Sequence, residues 1–201
     1  MTGAHAARAA LPGATAPGRR AFVLGLAGAA LLPCTPVLAQ AGAGLALERK
    51  VKAGFLVQFL GYAEFPAAAL GEAGAPLVIG VIDADDLAVE LARIVTGRSI
   101  GARSIMVKVL RELETLSGVH VLFVGGADPV RVGQVLRAVA PAPVLLVTEA
   151  EEGLRQGSVI NFRIVDERVR FDVSLGAAEK NRIKLSSRLL TVANLVFKAA
   201  P

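Results

Sequence analysis

Apolar residues recur at helical spacing from 45 to 62, where Val51, Phe55, Phe59 and Tyr62 form a stripe that Leu56 and Leu60 widen. This pattern predicts an amphipathic helix. Phe65-Pro66 ends it, because proline pushes the residue before it out of helical geometry. Residues 76–82 then form a continuous apolar run, the pattern of a strand buried on both faces of a parallel sheet. Asp83 is read as opening the next helix, since Asp83-Ala84-Asp85-Asp86 precedes Leu87, Leu91 and Ile94. Carboxylates there meet the unpaired amides and positive partial charge of a helix N-terminus.

Residues 96–100 read as a loop, 104–110 as the second strand and 120–124 as the third. Gly125-Gly126-Ala127-Asp128-Pro129 leads into a helix over 130–139, with Asp128 as its cap and Pro129 at its first position. A fourth buried strand spans 143–147 and carries Thr148-Glu149 at its carboxyl end. Beyond it, a two-residue loop at Asp166-Glu167 pairs Phe162 with Phe171, Ile164 with Val169 and Ile160 with Val173, an apolar ladder on one face. Asn161, Arg163, Arg170 and Asp172 then share the other face, a candidate partner-binding surface. Arg163 stands opposite Arg170, which suits solvated side chains or an anionic group between the two guanidinium groups. Residues 175–180 and 186–197 read as short helices, the second with Leu189, Leu190, Ala193 and Val196 as its packing stripe and Ser186-Ser187 at its start. Alternating strands and helices, then a hairpin, imply one three-layer α/β domain over 48–197. Its sheet is mixed and mostly parallel, and helices follow the C-terminal hairpin.

The first 39 residues have a different character. Arg19-Arg20 is followed by Ala21-Phe22-Val23-Leu24, a Gly/Ala/Leu run to Leu32, and then Val37-Leu38-Ala39. This is the layout of an export signal, twin-arginine-like, with a small-residue cleavage site at Ala39 and a flexible start at 40–47. The apolar run is shorter than the roughly 20 residues a spanning helix needs. Pro33 before Cys34 argues against a lipidated cysteine. Cleavage removes Arg8, Arg19 and Arg20 and no acidic residue, taking the formal charge from +5 to +2. A chain so near neutrality, with dispersed bases and no Trp, offers no footprint for nucleic acid. It also loses Cys34, its one cysteine, so a mature chain has no disulfide and no thiolate chemistry.

Candidate chemistry is sparse in what remains. His120 is the single mature histidine, and the sequence plausibly pairs neither a Ser nor a Cys with it, so the pattern points to no catalytic residue. The acidic run at 83–86 lacks further ligands at metal-binding spacing, and the 125–129 loop lacks a phosphate-binding pattern, so neither metal nor cofactor is expected. Open α/β sheets form crevices beyond their strands' carboxyl ends. Asp83, Gly125 and Glu149 are therefore the candidate rim for a small-molecule effector, should one bind.

The stretch 144–197 resembles the C-terminal signature of the YfiR family, of the DUF4154 type. The residues that carry the resemblance are Pro143-Val144-Leu145-Leu146-Val147-Thr148-Glu149, Gly157-Ser158-Val159-Ile160-Asn161-Phe162, Arg170-Phe171-Asp172-Val173-Ser174-Leu175 and Lys184-Leu185-Ser186-Ser187-Arg188-Leu189-Leu190. The resemblance implies an exported, periplasmic regulator without enzymatic activity. Such a regulator binds and represses the periplasmic sensor part of an inner-membrane diguanylate cyclase in cyclic-di-GMP signalling, or of a histidine-kinase receptor. It also implies a homodimer. Phe65-Pro66 stands where relatives carry Trp-Pro, and Val119-His120 where they carry Cys-His. The paired cysteines of many relatives are missing, which removes redox control. A small-molecule-binding or sensing module is the alternative reading.

Overall fold

The computed structural model describes residues 37–111 and 116–198. The signal-like stretch up to residue 36, with Arg19, Arg20 and Cys34, lies outside them. Helix α1 spans Val37–Tyr62, and β1, Ala63–Glu64, follows it directly. Residues 40–47, expected as a flexible start, are thus helical. Every described side chain from residue 42 to 47 is exposed, and packing begins at Glu48.

The remaining strands are β2 (Leu77–Ile82), β3 (Ser99–Ile100), β4 (Arg103–Val109), β5 (Val121–Val124), β6 (Leu145–Thr148), β7 (Ile160–Val165), β8 (Arg168–Ser174), β9 (Lys184–Leu185) and β10 (Leu195–Phe197). The helices are α2 (Asp85–Val95), α3 (Pro129–Val139), α4 (Leu175–Lys180) and α5 (Ser187–Val192). Eight strands form one sheet in the order β10-β8-β7-β6-β5-β2-β4-β3. The run from β4 to β7 is parallel, whereas β3 lies antiparallel to β4 and β8 antiparallel to β7, with β10 parallel to β8. This is the mixed, mostly parallel α/β sheet flanked by helices that the pattern predicts. All side chains of β2, β5 and β6 are buried, which explains why these segments read as unbroken apolar runs.

Strand order reverses between β2 and β5. The chain goes from β2 through α2 outward to β4, then from β5 through α3 in the opposite direction to β6. Right-handed crossovers running in opposite directions place α2 and α3 on opposite faces. Helix α1 shares the α2 face and lays Phe55 and Phe59 on the hairpin. Ring centroids lie 4.8 Å apart for Phe59–Phe171, 5.4 Å for Phe55–Phe171 and 5.7 Å for Phe59–Phe162.

The hairpin register pairs Phe162 with Phe171, Arg163 with Arg170 and Ile164 with Val169. Asp166 and Glu167 both have positive φ, 49° and 58°, as a two-residue turn matched to strand twist requires.

Three local expectations are corrected. Asp83 does not cap α2: the N-cap position is Ala84, and Asp83 has φ 54° with its carboxylate turned to Arg131. Asp85 and Asp86 supply the negative charge in the first turn instead. Residues 186–197 are not one helix, because α5 stops at Val192 and β10 then adds to the sheet beside β8. Leu189 is buried, but Val196, expected in the packing stripe, is exposed on β10. The bond from Asn194 N–H to Phe171 O, together with β10–β8 pairing, satisfies the backbone there better than another helical turn would. Finally, the hairpin's polar face is not a surface along its whole length.

Candidate functional site

At the carboxyl ends of β2 and β5, where strand order reverses, a cleft of about 440 Å³ opens. Asp83, Gly126 and Ala127 form its floor, Glu149 one side, Glu48, Arg49 and Lys52 of α1 another, and Phe162, Arg163 and Ile164 its lip. Asp83 and Glu149 thus come together as the sequence placed them. Gly125 does not reach the rim. It is buried beneath the Asp83 backbone, where an added Cβ would stand 2.6 Å from Asp83 O, so glycine is required for the two loops to cross.

Sequence reasoning missed the strongest feature of this site. Lys52 is 4 % exposed, and its Nζ lies 2.6 Å from Glu149 and 5.8 Å from the centroid of the Phe162 ring. It also pairs with Glu48 one turn back. Arg49 donates through Nη1 to the same Glu149 oxygen at 2.6 Å and through Nε to Asp86 at 2.8 Å. One carboxylate at the end of β6 therefore ties α1 to the sheet, and Arg49 extends the tie to α2. Burial alone would raise the Glu149 pKa, but hydrogen bonds and charge from Lys52 and Arg49 more than reverse this and hold the carboxyl below its usual 4.5. The same pairing raises Arg49 despite its burial. A legible signal existed in the sequence: Lys52 lies on the stripe of Leu56 and Phe59, and a charge on an apolar stripe needs a partner.

The four hairpin residues proposed as one partner surface divide by depth. Asn161 and Asp172 are 3 % and 2 % exposed. Thr148 donates its hydroxyl to Asn161 Oδ1 at 2.6 Å and lies 3.0 Å from the Ser158 hydroxyl. The backbone of Gly153 closes over this group so tightly that a Cβ would come within 2.6 Å of Asn161 Oδ1. Asp172 accepts from Asn194 Nδ2 at 2.7 Å. Only Arg163 and Arg170, near the turn, are exposed. Arg163 reaches back to Asp172 at 3.8 Å, which offsets its like-charged neighbour. Ile164, on the face expected to be buried, is 54 % exposed at the cleft's lip. Both faces are covered near β6 and both open toward the turn.

His120 sits at the opposite end of the sheet, buried, with Nδ1 accepting from Val78 N–H at 3.1 Å and its ring edge-on to Phe65. Burial and the nearby Arg103 push its pKa below 6.5. Among the described residues, no group of His, Cys, Asp or Glu is arranged to hold a metal ion.

A family model described as YfiR/HmsC-like matches residues 49–194. The chain belongs to the YfiR/HmsC-like family. The match runs from Arg49 of the cleft to Asn194 beside Asp172, so it takes in Arg49, Lys52, Asp86 and Glu149 of the charged network and the hairpin. No curated protein matches the chain. Among solved structures, an ABC domain in complex with L-Trp from Streptococcus pneumonia is similar, with 10 % identity and a TM-score of 0.43. The similarity covers 60 % of this chain and 55 % of that one, so the chain spans about half of its length. Membership in the YfiR/HmsC-like family supports a regulatory role in general terms.

Proposed function

We propose that this chain is a periplasmic regulator, not an enzyme, that binds and represses the periplasmic sensor part of an inner-membrane signalling enzyme, a diguanylate cyclase in the first instance. The supporting observation is the family match over residues 49–194. The export-signal pattern up to Ala39 agrees with it, and the charged groups of the cleft neutralise one another rather than activate a nucleophile. The surface that suits a partner is the cleft lip and hairpin end, where Arg163, Ile164 and Arg170 are exposed together. Arginine and an apolar neighbour are a common anchoring pair, and losing one desolvated charged contact costs about 2–5 kcal/mol.

The test is titration against the periplasmic domain of a diguanylate cyclase of the producing cell, with cellular cyclic-di-GMP as the second readout. Arg163→Glu with Arg170→Glu should weaken binding more than about tenfold and leave the chain folded, since both side chains are exposed and the buried Phe162 and Phe171 carry the packing. Undiminished affinity would move the interface to the exposed turns of α1. Unaltered cyclic-di-GMP on deleting the chain would remove the cyclase as partner. A second reading, a small-molecule effector in the cleft, draws on one observation: the cleft lies at the reversal of strand order, where open α/β sheets commonly bind ligands.

A further inference from the structure

On the α3 side of the sheet, a hollow of about 490 Å³ lies between the end of α3, the loop ahead of β7, α4 and Lys198. It shares no residue with the cleft. Arg137, Arg155, Lys180 and Lys198 line it, all exposed, and no carboxylate among the described residues does. Arg155 pairs with Glu152 at 3.0 Å. Arg137, Lys180 and Lys198 make no ion pair among the described residues. A cation near a helix's carboxyl end is favourable by itself, and this accounts for Arg137 and Lys180, each in the last turn of its helix. It does not account for Lys198, which follows β10, nor for the meeting of four cations from four separate segments over one hollow. Gln156 adds a second observation. Its Nε2 donates to Pro129 O at 3.0 Å, which fixes the amide and leaves Oε1 buried without a partner, a costly state for an acceptor. That oxygen and Arg137 Nη1 lie 3.4 Å and 3.0 Å from where a Cβ on Gly133 would stand. The missing side chain gives Arg137 room beside an oxygen that needs a donor, and the oxygen's partial charge holds the guanidinium over the hollow.

We propose that this hollow is a binding site for a phosphate monoester. Charge selects the ligand. Arg137, Lys180 and Lys198 repel one another with no acid between them, and a single carboxylate would neutralise only one. A phosphate monoester carries about −1.5 to −2 charges at neutral pH and three strong acceptor oxygens. Arg137 suits it with two parallel N–H···O bonds, and the lysines act as point charges. The hollow falls within the range of small-molecule sites, about 300–1,000 Å³, and the ester's organic part would rest on the apolar wall of Leu136 and Ala177. The same group has two sources, a soluble ester such as glycerol phosphate and the monoester headgroup of a lipid. Filling the hollow leaves the cleft and the hairpin end uncovered, since no residue is shared. The inference therefore does not depend on the identity of the signalling partner.

Two binding experiments on the chain as matured by the producing cell test the proposal and separate the sources: calorimetric titration with glycerol 3-phosphate, and co-sedimentation with phosphatidylcholine vesicles with and without phosphatidic acid. One-to-one binding of the soluble ester supports the site with a free ligand, and recruitment only by phosphatidic acid supports it with a lipid headgroup. Arg137→Ala with Lys180→Ala should weaken either more than about tenfold, the worth of one hydrogen bond to a charged group, and leave the chain folded because both side chains are exposed. Should that variant not fold, Lys198→Glu, an exposed position outside every helix, gives the same reading. Arg93→Ala, an exposed base on α2 across the sheet, should bind as the parent does. Binding of neither probe, binding undiminished in the hollow's variants, or an equal loss with Arg93→Ala, the mark of general charge attraction, would each overturn it.

Discussion

Glu149 shows how much a single side chain can determine in this molecule. It is the shared anion for Lys52 and Arg49, both on α1, and Lys52 has almost no contact with water. Removing one member of a buried pair leaves an uncompensated charge, at about 3–5 kcal/mol. Glu48 remains beside Lys52, so Glu149→Gln should cost ~3 kcal/mol, the low end of that range. Replacing the whole group with apolar residues would cost less than this single change. Chemical denaturation of Glu149→Gln against the parent measures the loss, and unchanged stability would mean that Lys52 finds water or Glu48 sufficient. The sequence placed Glu149 at a strand's carboxyl end and left Lys52 on an apolar stripe in need of a partner, but nothing in it joined the two, which lie 97 positions apart. Asp83 is the converse case. Its position beside the cleft was legible, yet the cap it was read to form depends on backbone dihedrals that no residue pattern specifies.

At the scale of elements, the aromatic contact between α1 and the hairpin secures the first helix. Phe171 is 1 % exposed and packs against both Phe55 and Phe59. Phe171→Ala should therefore lower stability by about 3–5 kcal/mol, in contrast to exposed Arg163 and Arg170 one strand-face away. A melt of Phe171→Ala matching that of the parent would show the cluster to be dispensable. The hairpin register, its two-residue turn and the matched ladder were all readable, because a slip of one residue would turn every phenylalanine to the wrong face. The end of the chain was not. Residues 187–197 carry apolar spacing that suits a helix, and the open edge of β8, created only by the folded sheet, recruits Leu195–Phe197 as a strand. Tertiary context overrides local preference where a short segment can satisfy an unpaired edge.

For the whole molecule, buried His120 and partly buried Glu149, at opposite ends of the sheet, set the response to acid. His120 is held neutral in the fold, its pKa below 6.5. The unfolded chain takes up a proton from pH 6.5 downward while the folded one does not, so stability falls as pH drops from there to the folded pKa. Glu149, depressed below 4.5, contributes stability that is full above that value and is lost as pH falls through its folded pKa. Melting temperature should therefore decline in two windows. His120→Asn, whose amide oxygen can still accept from Val78, should flatten the upper one. A decline above pH 4.5 that survives this substitution would assign it to other groups. The sequence by itself determined the fold class, the buried strands and the hairpin register, because periodicity and local turn chemistry are properties of neighbours along the chain. The tertiary structure alone decided which polar residues face water: Asn161 and Asp172 share a strand face with Arg163 and Arg170, yet the Gly153 turn and Asn194 cover the first two. It likewise decided that α1 closes the cleft with Arg49 and Lys52, since burial and ion pairing depend on segments that meet only once the sheet has formed.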